Sequence, residues 1–158
     1  MFVRYYLEIA APFDEVEATL LDHPGRWVPG LLRVAEEEGE RLLAEVGVAL
    51  ETRRIHKEVE IGLGAPYRFP SKTVLPMTWR ATGAERLFPQ LDADIEVAAL
   101  GMSRTQLSIS ARYRPPMGVV GRALDRAILH RVAEATVKDF LDRVGEQMRA
   151  GELAKHGR

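Results

Sequence analysis

The stretch from Arg112 to Val144, RYRPPMGVVGRALDRAILHRVAEATVKDFLDRV, constrains the fold more than any other part of the chain. Pro115 and Pro116 stop the strand before them, because proline has no N–H to donate to a ladder. A helical period of about thirty residues then follows, which reaches ~45 Å at 1.5 Å per residue. A helix of that length needs a broad partner surface. At ~100° per residue, Val120, Leu124, Ala127, Ile128 and Ala135 gather on one side in its first half. In its second half Val137, Phe140, Leu141, Val144 and Met148 gather on a side displaced by about half a turn. One straight seam does not drift that far. The pattern predicts a helix that bends over a curved surface or is covered from two directions.

Alternating runs supply the surface. From Phe2 to Ala10, Val3, Tyr5, Leu7 and Ile9 oppose Arg4, Tyr6 and Glu8, as in a half-buried strand. Pro12 and the acids Asp14, Glu15 and Glu17 mark the start of a short helix, where the macrodipole favours negative charge. PGRWVPGLL leaves room for only a brief second helix around Trp27. Strand-like runs follow at 31–37, 41–52, 53–61, 71–82, 91–100 and 104–114. The segment 62–70, GLGAPYRFP, reads as a loop from its punctuation. Pro76 inside the run 71–82 predicts an edge position or a bulge. Gly101-Met102-Ser103 joins the last two runs as a hairpin.

An antiparallel sheet with one apolar face needs a cover. A helix covers a strip ~10 Å wide, whereas six or seven strands span ~30 Å at about 4.8 Å each. Curvature closes part of the difference. Large side chains or a cavity must take the rest.

Composition narrows the function. The 158 residues suffice for one domain with a real core, read as 1–150 with a frayed polar tail at 151–158. A net charge of -1 gives no basis for nucleic acid as partner. No cysteine is present, which excludes disulfides and thiolate chemistry. No apolar run approaches the ~20 residues of a membrane span. The N-terminus reads as no signal peptide, so cytoplasm is the expected compartment.

The opening strand with AAPFDEVEATLLDHPGRW, the hairpin DADIEVAALGMSRTQLSISARYRPP and the helix GRALDRAILHRVAEATVKDFLDRV together resemble the START-like, or SRPBCC, superfamily. The nearest pattern is that of uncharacterised bacterial members. The resemblance implies an α+β helix-grip fold. A curved antiparallel sheet of about seven strands would wrap a long C-terminal helix, with two short helices after strand 1. It also implies a hydrophobic cavity, because members bind lipids, hormones and polyketides, and some catalyse cyclisation or dehydration.

The first expectation is therefore binding or transport of a small hydrophobic molecule. Candidate contacts are Trp27, Met77, Trp79, Ile95, Val97 and Ile109, with Tyr113, Leu124 and Ile128. For Trp27, Trp79 and Tyr113 core filling is the competing role. Arg53 and Lys57 are in phase with Ile55 and Val59, and Arg131 shares the sector of Leu124 and Ile128. Each is a candidate anchor for a polar head group, set against the ordinary role of a rim cation. A cyclase/dehydrase enzyme is the second reading, with His130 and Tyr113 as its acid–base candidates. A structural or interaction module with a filled core is the third. No Gly-x-Ser-x-Gly elbow or serine triad is present, and the four histidines lack metal-ligand spacing. No cofactor or metal is expected. Asp92, Asp94 and Glu96 alternate away from the apolar face and are expected to pair with Arg112 or Arg80 across strands.

Overall fold

The structure is a computed structural model that describes residues 2–22, 24, 25, 27, 58–82, 90–114 and 126–156. The side chains of 58, 59, 81, 82, 126–130, 132, 133, 136 and 150–156 are outside that description. Six strands are described: β1 (Phe2–Ile9), β2 (Glu58–Leu63), β3 (Tyr67–Phe69), β4 (Lys72–Thr82), β5 (Gln90–Ala99) and β6 (Thr105–Arg114). Two helices accompany them, α1 (Phe13–Asp22) and α2 (Arg126–His156). The expected strands at 31–37 and 41–52 lie outside the described residues.

All described pairings are antiparallel, and the sheet runs β1-β6-β5-β4-β2, with β3 also on β4. The sheet is curved. Its alternation is the one read from the sequence. Val3, Ile9, Leu91, Ile95, Val97, Leu107 and Ile109 are buried on the inner face. Arg4, Tyr6, Asp94 and Arg112 are exposed on the outer one. The β5–β6 hairpin closes through Leu100 N–H donating to Arg104 O at 2.8 Å, with Gly101 at φ 99°. That conformation costs glycine nothing, because it has no Cβ.

The segment 62–70 departs from expectation. Gly62 and Leu63 still belong to β2, and Tyr67–Phe69 form β3. Both strands lie along the same side of β4. Leu63 pairs with Met77 and Tyr67 with Val74, so Gly64, Ala65 and Pro66 stand opposite only Leu75 and Pro76. Three residues against two is a bulge. Pro76 is therefore interior rather than on an edge, yet it breaks nothing. Its missing N–H faces the bulge, and its carbonyl accepts from Gly64 N–H at 2.8 Å.

Helix α1 begins where Pro12 O accepts from Glu15 and Val16 N–H. Its end is capped from within the core. The indole Nε1–H of buried Trp27 donates to Leu20 O at 3.1 Å, meeting one of the carbonyls a helix end leaves orphaned. On its sheet side, buried Thr73 donates its hydroxyl to the Glu17 carboxylate, which also pairs with Arg68 of β3 at 3.8 Å.

Helix α2 packs on β1 and β6 and touches α1. Val137, Phe140, Leu141, Val144 and Met148 form its buried seam, as the periodicity predicts. Burial of such side chains contributes roughly 1.5–3 kcal/mol each. The displaced apolar stripe of Val120, Leu124, Ala127 and Ile128 falls outside the described side chains; Ala135 is half-buried. The expected frayed tail is helical through His156. Gly145 is buried against Leu7 of β1. A Cβ there would stand 3.0 Å from Leu7 Cδ2 and 3.1 Å from Cδ1. Arg149 extends from the next turn and donates to Glu8 O at 3.2 Å, fastening the helix to β1.

Two stability outcomes follow from these contacts. Gly145→Val should destabilise the fold by about 1–3 kcal/mol in denaturant unfolding, because the helix cannot overpack Leu7 without lifting. Thr73→Val should cost about 1–2 kcal/mol, since it removes a donor to a carboxylate. Glu17→Gln, which keeps an acceptor, should cost less.

Candidate functional site

The inner face is best followed row by row across the strands. One row is Ile61, Trp79, Leu91 and Tyr113. The next is Leu63, Met77, Ala93, Ala111 and Val3. A third is Leu75, Ile95, Ile109 and Tyr5. Directly paired residues on antiparallel strands lie on one face with their Cβ atoms about 4.5–5.5 Å apart. These rows are therefore physical neighbours.

The middle row contains a step. Ala93 and Ala111 pair with each other at its centre, where the flanking rows carry Leu91 and Tyr113 on one side and Ile95 and Ile109 on the other. Strand alternation places both alanines inward and fixes the larger groups around them. Tyr113 brings a phenol next to the alanine pair; its side chain is buried.

The sequence candidates distribute as follows. Met77, Trp79, Ile95, Val97, Ile109 and Tyr113 share the buried inner face of the sheet. Trp27 is also buried, but its indole N–H is committed to the end of α1. Arg53 and Leu124 lie outside the described residues, and so does the side chain of Ile128. Arg131 is exposed. It stands two helical turns from Lys138, on the flank that also presents that exposed lysine. The structure does not bring Arg131 to the inner rows. Lys57 and the side chain of His130 also fall outside the description. Leu91, Ala93 and Ala111, which share these rows, were not among the sequence candidates. Alanine carries no chemical signal in a sequence, and only cross-strand register shows that these two are neighbours.

A concavity lies on the opposite, outer face. It is a groove open to solvent, of about 630 Å³, and involves Phe2, Gly62, Gly64, Pro76, Thr78, Asp92, Asp94, Ser110 and Arg112. A smaller recess of about 230 Å³, bounded by Glu60, Gly62, Thr78 and Arg80, adjoins it. The expected carboxylate pairing is corrected here. Asp92 pairs with Arg114 at 3.2 Å and Glu96 with Lys72 at 3.4 Å, rather than with Arg112 or Arg80. Among the described residues, no cluster of side chains has the composition to hold a metal ion. Among them also, no helix is long and apolar enough to cross a membrane.

No protein-family model and no curated protein matches the chain. Solved structures do. A conserved protein from Geobacillus kaustophilus superposes with a TM-score of 0.51 at 12% identity, over 94% of this chain and 95% of that one. A hypothetical protein from Helicobacter pylori gives a TM-score of 0.51 at 12% identity, over 94% of this chain and 88% of its own. A START superfamily protein from Mycobacterium smegmatis is more distant, with a TM-score of 0.43 at 12% identity over 94% and 97% of the two chains. Identities this low speak to architecture alone. A curved antiparallel sheet with a long C-terminal helix packed on one face is an α+β helix-grip architecture, and it is the fold of this chain.

Proposed function

We propose that the protein binds a small hydrophobic molecule between the inner face of the sheet and α2. The observation that carries this reading is the alanine step. Ala93 and Ala111 sit side by side in the middle of a surface otherwise built from Trp79, Leu91, Tyr113, Ile95 and Ile109. A chain selected only for a solid core has no reason to place its two smallest inward side chains together at the widest part of the sheet. Close-packed interiors do not leave such steps unfilled.

The footprint of α2 supports the same reading. Its contacts among the described elements are with β1, β6 and α1, whereas Met77 and Trp79 stand two strands away on β4. A ligand resting on the alanines would be bordered by Met77, Trp79 and the Tyr113 ring. Affinity would come from hydrocarbon burial, at about 25 cal/mol per Å². The Tyr113 hydroxyl is the polar group that would orient it.

The test uses an environment-sensitive apolar fluorophore, with Trp79 as the energy donor. Saturable binding with quenching of tryptophan emission is expected. Trp79→Phe should remove most of the quenching and leave Trp27 emitting. Ala111→Phe, which fills the step, should weaken binding at least about tenfold, the equivalent of 1.4 kcal/mol. Ala93→Leu serves as the second variant if the larger ring impairs folding. Absence of saturable binding, or equal affinity in both filled variants, would overturn the reading.

A further inference from the structure

The outer groove is a separate feature, with chemistry unlike that of the inner face. Its origin is local. The bulge opposite Pro76 bends the β2–β3 side of the sheet, as an extra unpaired residue does. Gly62 keeps the floor open: a Cβ there would stand 2.7 Å from Thr78 Oγ1. Glycine within a strand is found where something else approaches the backbone closely. Phe2, on the far side of the groove, is an exposed aromatic wall on β1.

Two opposite charges point into this space. Asp94 is paired in register with Ser110 and Pro76, and Arg112 with Asp92 and Phe2. Asp92 is already engaged by Arg114. Asp94 and Arg112 form no ion pair among the described residues. They are diagonal neighbours on adjacent strands, about 7–8 Å apart at the backbone. A carboxylate and a guanidinium held apart over an open floor, with the Thr78 and Ser110 hydroxyls between the walls, complement a ligand that carries both charges.

We infer that this groove is a second binding site, for a short zwitterion of the free-peptide type. The ligand's ammonium meets Asp94 and its carboxylate meets Arg112. An apolar side chain beside the carboxylate lies against Phe2, the register partner of Arg112. The volume of this open groove falls within the ~300–1,000 Å³ of small-molecule sites. The inference does not depend on the binding proposed for the inner face, because the two lie on opposite faces of the sheet.

Alanylphenylalanine is the probe, followed by amide chemical-shift titration of the intact protein. Saturable shifts centred on Gly62, Thr78 and Ser110 are expected. N-acetylation or C-amidation of the dipeptide should each weaken binding about tenfold, as loss of one charged hydrogen bond does. Asp94→Asn should erase the difference made by acetylation, and Arg112→Gln the difference made by amidation. Both positions are exposed, so thermal unfolding should be unchanged in both variants, and the apolar fluorophore should still bind. The inference fails if millimolar dipeptide leaves those amides unmoved. It fails equally if the doubly capped peptide binds as well as the free one, or if neither substitution weakens binding. A loss of fluorophore binding alone would count against the inner site and leave this one standing.

Discussion

The whole molecule depends on one contact: the seam of α2 against β1 and β6. An antiparallel sheet buried on one face is stable only when that face is kept from water. Here Val137, Phe140, Leu141, Val144 and Met148 supply the cover, and Gly145 lets the helix backbone come close enough for those five to reach the strands. The approach at Leu7 sets the height of the helix above the sheet. Arg149, bonded to Glu8 O one turn further on, sets its rotation. A helix held this close at one end cannot also lie flat over the wide remainder of a curved sheet. Among the described elements its contacts stay with β1, β6 and α1, and Met77 and Trp79 on β4 lie beyond that footprint.

A second constraint shapes the opposite face. Proline in the middle of a sheet removes a ladder bond, and β4 is an interior strand. The chain accommodates Pro76 by giving the neighbouring strand one residue too many just where the donor is missing. The bulge, the glycines at 62 and 64 and the groove above them are one device. A Cβ on Gly64 would stand 3.1 Å from the Pro76 ring, so the glycine and the proline fit only as a pair.

Much of the fold was legible in the sequence, because it rests on period. The alternations of β1, β5 and β6 and the seam 137–148 each repeat one chemical contrast several times, and the structure places those residues as the period demands. The reading of 62–70 as a loop failed for a definite reason. Glycine and proline are punctuation in most contexts, but here they serve a bulge and a short strand whose register is fixed by β4 alone. The outward carboxylates were placed on the correct face. Their partners were not, because Arg114 reaches Asp92 diagonally while Arg112 lies directly opposite. Long arginine side chains choose among neighbours by geometry that a sequence does not hold.

The candidate sites mark the same boundary more sharply. Large side chains on the inner face announced themselves by size and phase, so Met77, Trp79, Ile95, Ile109 and Tyr113 could be named in advance. A hollow is defined by what is small, and Ala93 and Ala111 have meaning only as a pair across two strands. Strand alternation then carries the argument to the other face. Asp92 and Asp94 flank Ala93, and Ser110 and Arg112 flank Ala111. Residues 92–94 and 110–112 thus present alanine inward and charge or hydroxyl outward from a single layer of backbone. The same short segments that put small side chains on the inner face build the charged wall of the outer groove. The period-two rule of a β-strand is enough to give one sheet two chemically opposite surfaces at one place.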